Sequence, residues 1–467
     1  MIWSNYNTLF HSNRLGYFLY NALSNALFEI DKGHYCALER LRDDGVSSES
    51  VDSEFLSFLR KHKVVFADGE ERRLLLALQY ARNTKCFDTS RLSLTICPTL
   101  LCNFRCSYCF ERTQQDSAVM SHETVQGLIA FIESYKETRH LALAWYGGEP
   151  LIGFNVIREI TEKLKCLSVD FEGASLVTNG YLLDKGKCDL FNELKIQAIQ
   201  ITLDGPEQLH DTRRFLAGGG PTFQRILANV DSLMGSSYEG ICHIRVNLDK
   251  HNSEGFPELQ ALLLERFKGK KLSIYAAPVH ASLRCTQHTS CSLDLQEWSN
   301  FTFDTYRRSG LIPIGNFYPT AEMDSVCVGI AHNRFVIGPK GELYKCWEDV
   351  GRPAMIVGNI HEAEPVTNPE LRAQYSIGTD AYNDPECLAC SVLPICGGGC
   401  ANKRLRAKQF GEKGLEFCSP YRKNLIGYLE GYIDNFLTKE ICTALLNPIP
   451  ERPDGNGYRV ISPPHLH

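Results

Sequence analysis

From Arg91 onward, apolar residues alternate between two periods. Runs rich in β-branched and aliphatic residues, RLSLTIC (91–97), HLALAWYGG (140–148), ASLVTNG (174–180), IQITLDG (199–205), CHIRVNLDK (242–250) and KLSIYAAPV (271–279), read as strands. Between them lie SHETVQGLIAFIESYKE (121–137), NVIREITEKLKCL (155–167), TFQRILANVDSLM (222–234) and GFPELQALLLERF (255–267). Their apolar positions recur three and four residues apart, as on a helix with one buried face. Six strand-then-helix units in series predict a parallel sheet joined by right-handed crossovers. Six are too few to close an eight-stranded barrel, so the expected fold class is α/β, a partial, open (β/α)6 TIM-like barrel over 90–310. Chemistry in such folds sits at the carboxyl ends of the strands. A cysteine loop, GGEP (147–150), TNG (178–180) and LDG (203–205) all fall there and are expected to share one mouth.

Ahead of this series the pattern differs. YNTLFHSNRLGYFLYNALSNALFEID (6–31) alternates enough for two short strands, KGHYCALERLRDDG (32–45) is an amphipathic helix stopped by Gly45, and SEFLSFLRKHKVVFADG (53–69) is a helix running into a short strand. That order suits a winged-helix-like module over 1–85. Behind the barrel, 319–436 has short runs, turn residues and closely set cysteines, and is expected to be held together by metal. The tail, 437–467, ends in the loop-like PIPERPDGNGYRVISPPHLH.

Composition narrows the class. With 467 residues, 43% apolar and 22% charged, the chain reads as an ordinary soluble protein of several domains. A net charge of −6 offers no electrostatic footprint for nucleic acid. No basic segment leads into an apolar signal core, and no apolar run approaches the ~18–20 residues that span a bilayer. The expectation is a cytoplasmic protein with neither a nucleic-acid nor a membrane partner. Nineteen cysteines in such a chain point to metal ligation or redox chemistry rather than disulfides.

Three of them, Cys102, Cys106 and Cys109, are spaced C-x3-C-x2-C in TICPTLLCNFRCSYCFERT (95–113). Three thiolates on one loop can cap three corners of a cubane iron–sulfur cluster, whereas a structural zinc would be closed by a fourth protein ligand. The iron left over is then open to a substrate or cofactor. Cys97, before Pro98 at the end of a strand, reads as a small buried hydrophobe. This loop, with aromatic Tyr108 before the third cysteine, resembles that of the radical S-adenosylmethionine (SAM) enzymes, whose open iron is chelated by the amino and carboxylate groups of SAM. GGEP is similar to that family's next motif. The resemblance implies that Gly147 and Gly148 let the backbone approach the methionyl amine, which Glu149 helps to bind. Asn179 and ITLDGPEQLHDTRR (201–214) resemble the later strand ends, which implies ribose and carboxylate contacts for Thr202, Asp204 and Arg214, with Arg214 facing the SAM carboxylate. The same residues also read as a helix-start salt bridge.

A second constellation follows. Cys387, Cys390, Cys396 and Cys400 are spaced C-x2-C-x5-C-x3-C, with Cys327, Gly341 and Cys346 upstream and Cys418 downstream. The order resembles the SPASM extension of radical SAM enzymes, which carries two auxiliary 4Fe–4S clusters; zinc ribbons do not predict the longer spacing. By the family's wiring, Cys387, Cys390, Cys396 and Cys418 close one cluster, while Cys327, Cys346 and Cys400 hold the other. Seven ligands for two clusters leave either an open iron or a place for Cys285 or Cys291. Cys36, Cys86, Cys166, Cys188, Cys242 and Cys442 stand singly in apolar patterns and are expected in cores.

The resemblance implies three 4Fe–4S clusters, SAM as co-substrate, and an external electron donor such as flavodoxin or ferredoxin. It further implies a 5′-deoxyadenosyl radical that abstracts a hydrogen from an unactivated C–H bond, followed by net oxidation. The N-terminal order resembles the winged-helix element that binds a leader peptide as an added strand. A ribosomally made precursor peptide, crosslinked through carbon or thioether bonds, is the expected substrate. Formylglycine formation on a sulfatase, peptide epimerisation and a non-catalytic cluster-bearing protein are the alternatives. No catalytic side chain is singled out.

Overall fold

The computed structural model describes residues 1–44, 52–111, 117–279, 291–309, 317–319, 326–446 and 457–462. The chain forms two compact units, each discontinuous in sequence: Met1–Lys85 with Leu295–Val326 and Thr379–His467, and Cys86–Asp294 with Cys327–Gly378. Among the described residues, no helix is long and apolar enough to cross a membrane.

In the first unit, β1 (Ile2–Trp3) precedes a three-stranded antiparallel meander of β2 (Asn7–Ser12), β3 (Gly16–Asn21) and β4 (Ala26–Ile30). The alternation predicts only two strands here. A second tight turn, closed by Asn25 at φ 49° and by the Asn21 side chain accepting from the Ser24 amide, splits the run. Helices Lys32–Asp44 and Ser53–Lys61 follow, the second capped by Asp52, and β5 (Val65–Phe66) pairs with β1. Both faces of the meander are apolar. Phe10, Phe18 and Tyr20 join a core with Phe317, Leu429 and Ile433, while Leu19, Phe28 and Ile30 pack with Leu38, Phe55 and Leu59. The sheet is therefore a central layer. Two further elements escape the sequence reading: helix Glu70–Cys86, and a strand, Tyr458–Val460, that pairs antiparallel with β4. The tail is thus not all loop. Its Pro- and Gly-rich flanks hide a three-residue run with strand propensity.

The second unit holds the sheet that positions the candidate site. Strands β6 (Arg91–Ile96), β7 (His140–Trp145), β8 (Asp170–Thr178), β9 (Ile196–Thr202), β10 (Ile241–Leu248) and β11 (Leu272–Pro278) lie side by side in sequence order and all parallel. This is the expected open α/β arrangement, with the strand carboxyl ends on one side of the sheet. Beyond β6 the sheet continues with β12 (Arg334–Ile337), parallel to β6, then antiparallel β13 (Glu342–Tyr344) and β14 (Gly358–Asn359). The cysteine-rich region therefore begins as an extension of the barrel sheet. Gly341 makes the β12–β13 turn at φ 84°, where a Cβ would lie 2.7 Å from Ile360 Cγ1.

Candidate active site

β6 ends at Ile96, and the next residue, Cys97, is fully buried, as expected. The cysteine loop then leaves the sheet and zips against residues 213–217. The Arg105 amide donates to Phe215 O at 2.9 Å, the Ser107 amide to Arg213 O at 3.0 Å, and the Ala217 amide to Asn103 O at 2.7 Å. That partner segment begins at the end of LDGPEQLHDTRR (203–214), so two of the expected strand ends are held to one another by backbone.

GGEP is held to the same loop. The Gly148 amide donates to Thr99 O at 3.2 Å and the Glu149 amide to Leu101 O at 2.8 Å. A Cβ on Gly147, whose φ is 121°, would sit 2.3 Å from Thr99 O, and one on Gly148 would sit 2.3 Å from Leu101 O. Both glycines are therefore required by the approach of the cysteine loop itself. The Glu149 carboxylate is fully buried and accepts from Leu151 N (3.0 Å), Thr178 Oγ1 (2.7 Å) and Asn179 N (2.7 Å). Burial raises its pKa against these three donors, which favour the charged form. Asn179 reaches onward, its Nδ2 donating to Asn103 Oδ1 at 2.8 Å and lying 3.9 Å from Cys102 Sγ.

Around the third cysteine, the Tyr108 hydroxyl donates to the Asp204 carboxylate and accepts from Arg214 Nη1 (2.7 Å) and Asn247 Nδ2 (3.1 Å). Asp204 also accepts from Asn247 N at 3.0 Å, and Asn252 Nδ2 donates to Asp204 O at 2.8 Å. Arg213 pairs with Asp249 at 2.8 Å and lies over the Tyr108 ring, 5.1 Å from its centroid. His210 is fully buried, its Nδ1 accepting from Asp204 N (3.1 Å) and its Nε2 facing Thr222 Oγ1 (3.0 Å), which donates to Arg214 O (2.6 Å). Burial, with Arg214 and Arg213 nearby, holds this imidazole neutral and far below the usual histidine pKa. Thr202 is buried at the end of β9, and among the described residues its side chain makes no hydrogen bond to this network. The sequence reading passes over Asn247, Asn252, Arg213 and His210. Their signal is a cluster of polar residues at the ends of strands β9 and β10.

A donor set of three loop thiols suits a cubane iron–sulfur cluster. Among the described residues, His140, Asp170 and Glu172 are the only His, Cys, Asp or Glu triad with ligand atoms mutually within 4.8 Å. Burial pushes the Cys102 thiol up to about 12 and raises Cys106 and Cys109, with Arg214 pulling Cys106 back down. Such thiols ionise only on meeting a metal. Buried Arg214 Nε and Asn103 Nδ2 have no hydrogen-bond partner, while Arg213 Nε faces Asp204 Oδ2 at 3.9 Å. Orphaned donors of this kind suit a carboxylate or sugar hydroxyl that is bound there.

Elsewhere in that unit, Cys327 Sγ accepts from Gly329 N at 3.4 Å, and Cys346 follows β13. In the first unit, Arg404 donates to Cys387 Sγ at 3.2 and 3.3 Å, and Arg422 to Cys418 Sγ at 3.0 Å. Between Cys396 and Cys400, three glycines have φ of 60°, 99° and 68°, and a Cβ on Gly399 would sit 1.8 Å from Phe417 O. The Cys400 amide bonds that same oxygen at 2.9 Å, bringing Cys400 next to Cys418 in the fold. Of the isolated cysteines, Cys86, Cys188 and Cys242 are buried, but Cys36 is half-buried and Cys166 is exposed. Cys166 falls in the turn after its helix, so the apolar pattern overextends there. Cys285 and the Cys442 side chain lie outside the described residues. Cys291 is described, with Sγ 3.0 Å from His251 Nε2.

Residues 96–263 match the family model described as the radical SAM superfamily. The serine-type anaerobic sulfatase-maturating enzyme of Bacteroides thetaiotaomicron is 25% identical over 386 residues, 73% of this chain and 89% of that protein. The radical SAM cyclopropyl synthase TigE of Paramaledivibacter caminithermalis is 21% identical over 331 residues, 64% of this chain and 65% of that protein. Among solved structures, native anSMEcpe with bound AdoMet and Cp18Cys peptide shares the fold at a TM-score of 0.57 and 21% identity, over 76% of this chain and 99% of that one.

Proposed function

We propose that this chain, a radical SAM enzyme, works on peptides, abstracting a hydrogen from a ribosomally made precursor and installing a carbon–carbon or thioether crosslink. The observation that carries the choice of substrate is the sheet-and-helix module of residues 2–61, which precedes the cysteine loop. The solved sulfatase-maturating structure is accounted for over 99% of its length by 76% of this chain, so this chain carries material beyond it. A module that adds a peptide strand to its sheet is one use for such an extension.

Radical SAM chemistry uses a 4Fe–4S cluster and SAM, which together supply one-electron cleavage of SAM and hydrogen abstraction from an unactivated C–H bond. In the reading proposed here, Cys102, Cys106 and Cys109 hold that cluster. Arg214, fixed by Tyr108, offers its unpartnered Nε to the SAM carboxylate, and Asn179 and Asn103 offer amide groups to SAM's polar atoms. Glu149 acts by tying GGEP to the Thr178–Asn179 corner and so fixes the backbone around the methionyl amine. Cys387, Cys390, Cys396 and Cys418 are read as ligands of one auxiliary cluster. A further cluster on Cys327, Cys346 and Cys400 rests on the motif order alone. These centres would take up the electron shed when the new bond forms, and a flavodoxin or ferredoxin would supply the first one.

A second reading, formylglycine formation, is favoured by the sulfatase-maturating relatives. Coexpression with a short open reading frame neighbouring the gene, followed by mass spectrometry, separates the two. Loss of two hydrogens per event with a linkage that blocks fragmentation supports crosslinking. An unmodified precursor, together with an aldehyde on a sulfatase-derived Cys or Ser peptide, selects formylglycine formation.

A further inference from the structure

The sheet of the first unit runs in the order C-terminal strand, β4, β3, β2. Tyr458 lies opposite Ile30, Arg459 opposite Glu29 and Val460 opposite Phe28. The Asp31 amide donates to Gly457 O at 2.7 Å and the Ile461 amide to Leu27 O at 2.9 Å, so the edge of β4 is paired along its length. Side chains alternate as in any ladder. The Tyr458 ring enters an aromatic pocket, 4.4 Å from the Phe58 centroid, 4.8 Å from Phe55 and 5.5 Å from His34. Arg459 Nε meets Glu29 Oε2 at 2.6 Å, and Ile461 is buried on the opposite face with the core around Tyr432.

The occupant is anchored at Ile461, 2% exposed, and looser along its three ladder residues. Leu27 and Phe28 are wholly buried, whereas Tyr458 and Arg459 are half-buried and Val460 is 39% exposed. Three ladder residues and one aromatic plug are what an exchangeable strand would contribute, and an open sheet edge is a template for an added strand. We infer that the outer edge of β4 is a docking seat for an extended peptide, which the chain's own Tyr458–Val460 fills as a displaceable stand-in. The peptide that fits has an aromatic residue for the His34, Phe55 and Phe58 pocket, a cationic residue for Glu29, and an aliphatic residue two places further on for the site of Ile461. A tethered strand faces its seat at millimolar effective concentration, so a free peptide competes poorly until the strand is removed or weakened. The inference deepens the peptide-substrate reading and rests on it for the identity of the natural ligand; the seat itself does not depend on it.

The test uses the fluorescein-labelled peptide NGYRVISP, residues 456–463 of this chain, in an anisotropy titration. A chain ending at Leu446 is expected to bind it saturably, and the full chain at least tenfold more weakly. Asp31 amide exchange should speed up on truncation and slow again with peptide. A peptide with Ala in place of the tyrosine should bind at least tenfold more weakly. Because truncation could impair folding, full-length Tyr458→Ala is the second variant and should gain binding of the unmodified peptide. The inference is overturned if neither variant binds the peptide, if both bind it no better than the full chain, or if protection appears on β2 instead of β4. 5′-Deoxyadenosine formation, measured alongside, is independent of the seat. Its absence from the full chain would sink the radical SAM reading, whereas failed peptide binding with intact SAM cleavage would sink the seat alone.

Discussion

Arg214 Nη1 donates to the Tyr108 hydroxyl at 2.7 Å, joining the end of helix Glu207–Arg213 to the residue before the third cysteine. Through that hydroxyl, Asp204 and Asn247 are fixed as well. Tyr108→Phe keeps the ring under Arg213 but removes the shared oxygen. Leaving buried polar partners unmet costs about 1–3 kcal/mol. The expected outcome is a lower thermal midpoint, unchanged iron content, and SAM affinity weakened about tenfold or more, since each tenfold is about 1.4 kcal/mol. Isothermal titration of anaerobically reconstituted protein with SAM measures it. Wild-type affinity in the variant would remove this network from the SAM site.

Gly148 and Glu149 separate two ways in which one motif can matter. Gly148→Ala places a methyl group on a backbone oxygen 2.3 Å away, so the cysteine loop must shift. The expected result is loss of the SAM-binding cluster, read as reduced iron after reconstitution. Glu149→Gln keeps the shape but turns one acceptor oxygen into a donor among three donors. It should destabilise the second unit by about 1–3 kcal/mol in denaturant titrations. An unchanged midpoint would mean that the carboxylate is not structurally engaged.

Strand ends were legible in the sequence, and their cross-links were not. All six barrel strands appear as apolar or alternating runs, and GGEP, TNG and LDG terminate three of them, because a buried face, as along β7 and β10, and tight turns leave strong local signatures. Asn247 and His210 carry no such mark. Asn247 bonds Tyr108 and Asp204, 139 and 43 residues away, and His210 turns its two ring nitrogens on Asp204 and Thr222 only once the helix between them is folded. β12 is missed for a related reason: Arg334–Ile337 is four residues long, and its pairing with β6 spans more than half the chain's length. The grouping of Met1–Lys85 with Thr379–His467 also depends on long-range packing, which periodicity does not encode.

His210 gives the site a pH dependence whose sign follows from burial. Its folded-state pKa lies well below that of the unfolded chain, about 6.5. Above about 6.5 the imidazole is neutral in both states and its stabilisation is complete. Below that value the unfolded chain takes up a proton that the folded one refuses, and stability falls by up to about 1.4 kcal/mol per pH unit. His210→Asn, which keeps an acceptor near Nδ1, removes this term. In urea titrations from pH 7.5 to 5.5, the wild type's advantage over the variant should shrink as pH falls. Parallel curves would show that another group carries the acid sensitivity.

Iron accounting tests the cysteine assignments one cluster at a time. Three 4Fe–4S clusters require about twelve iron atoms per chain. Cys102→Ala should lower this by about four and abolish 5′-deoxyadenosine formation, because the open iron is lost with its cluster. Cys387→Ala should also remove about four. Its loop supplies Val392, Leu393 and Ile395 to the core of the first unit, so that unit should melt earlier. SAM cleavage should survive in this variant, since its ligands lie in a different unit from the Cys102 loop. Cys166→Ala, at an exposed position, should leave both readouts unchanged. Elemental analysis with Mössbauer spectroscopy distinguishes the outcomes. Full iron retention in Cys102→Ala or in Cys387→Ala would overturn the assignment of the constellation to which that cysteine belongs.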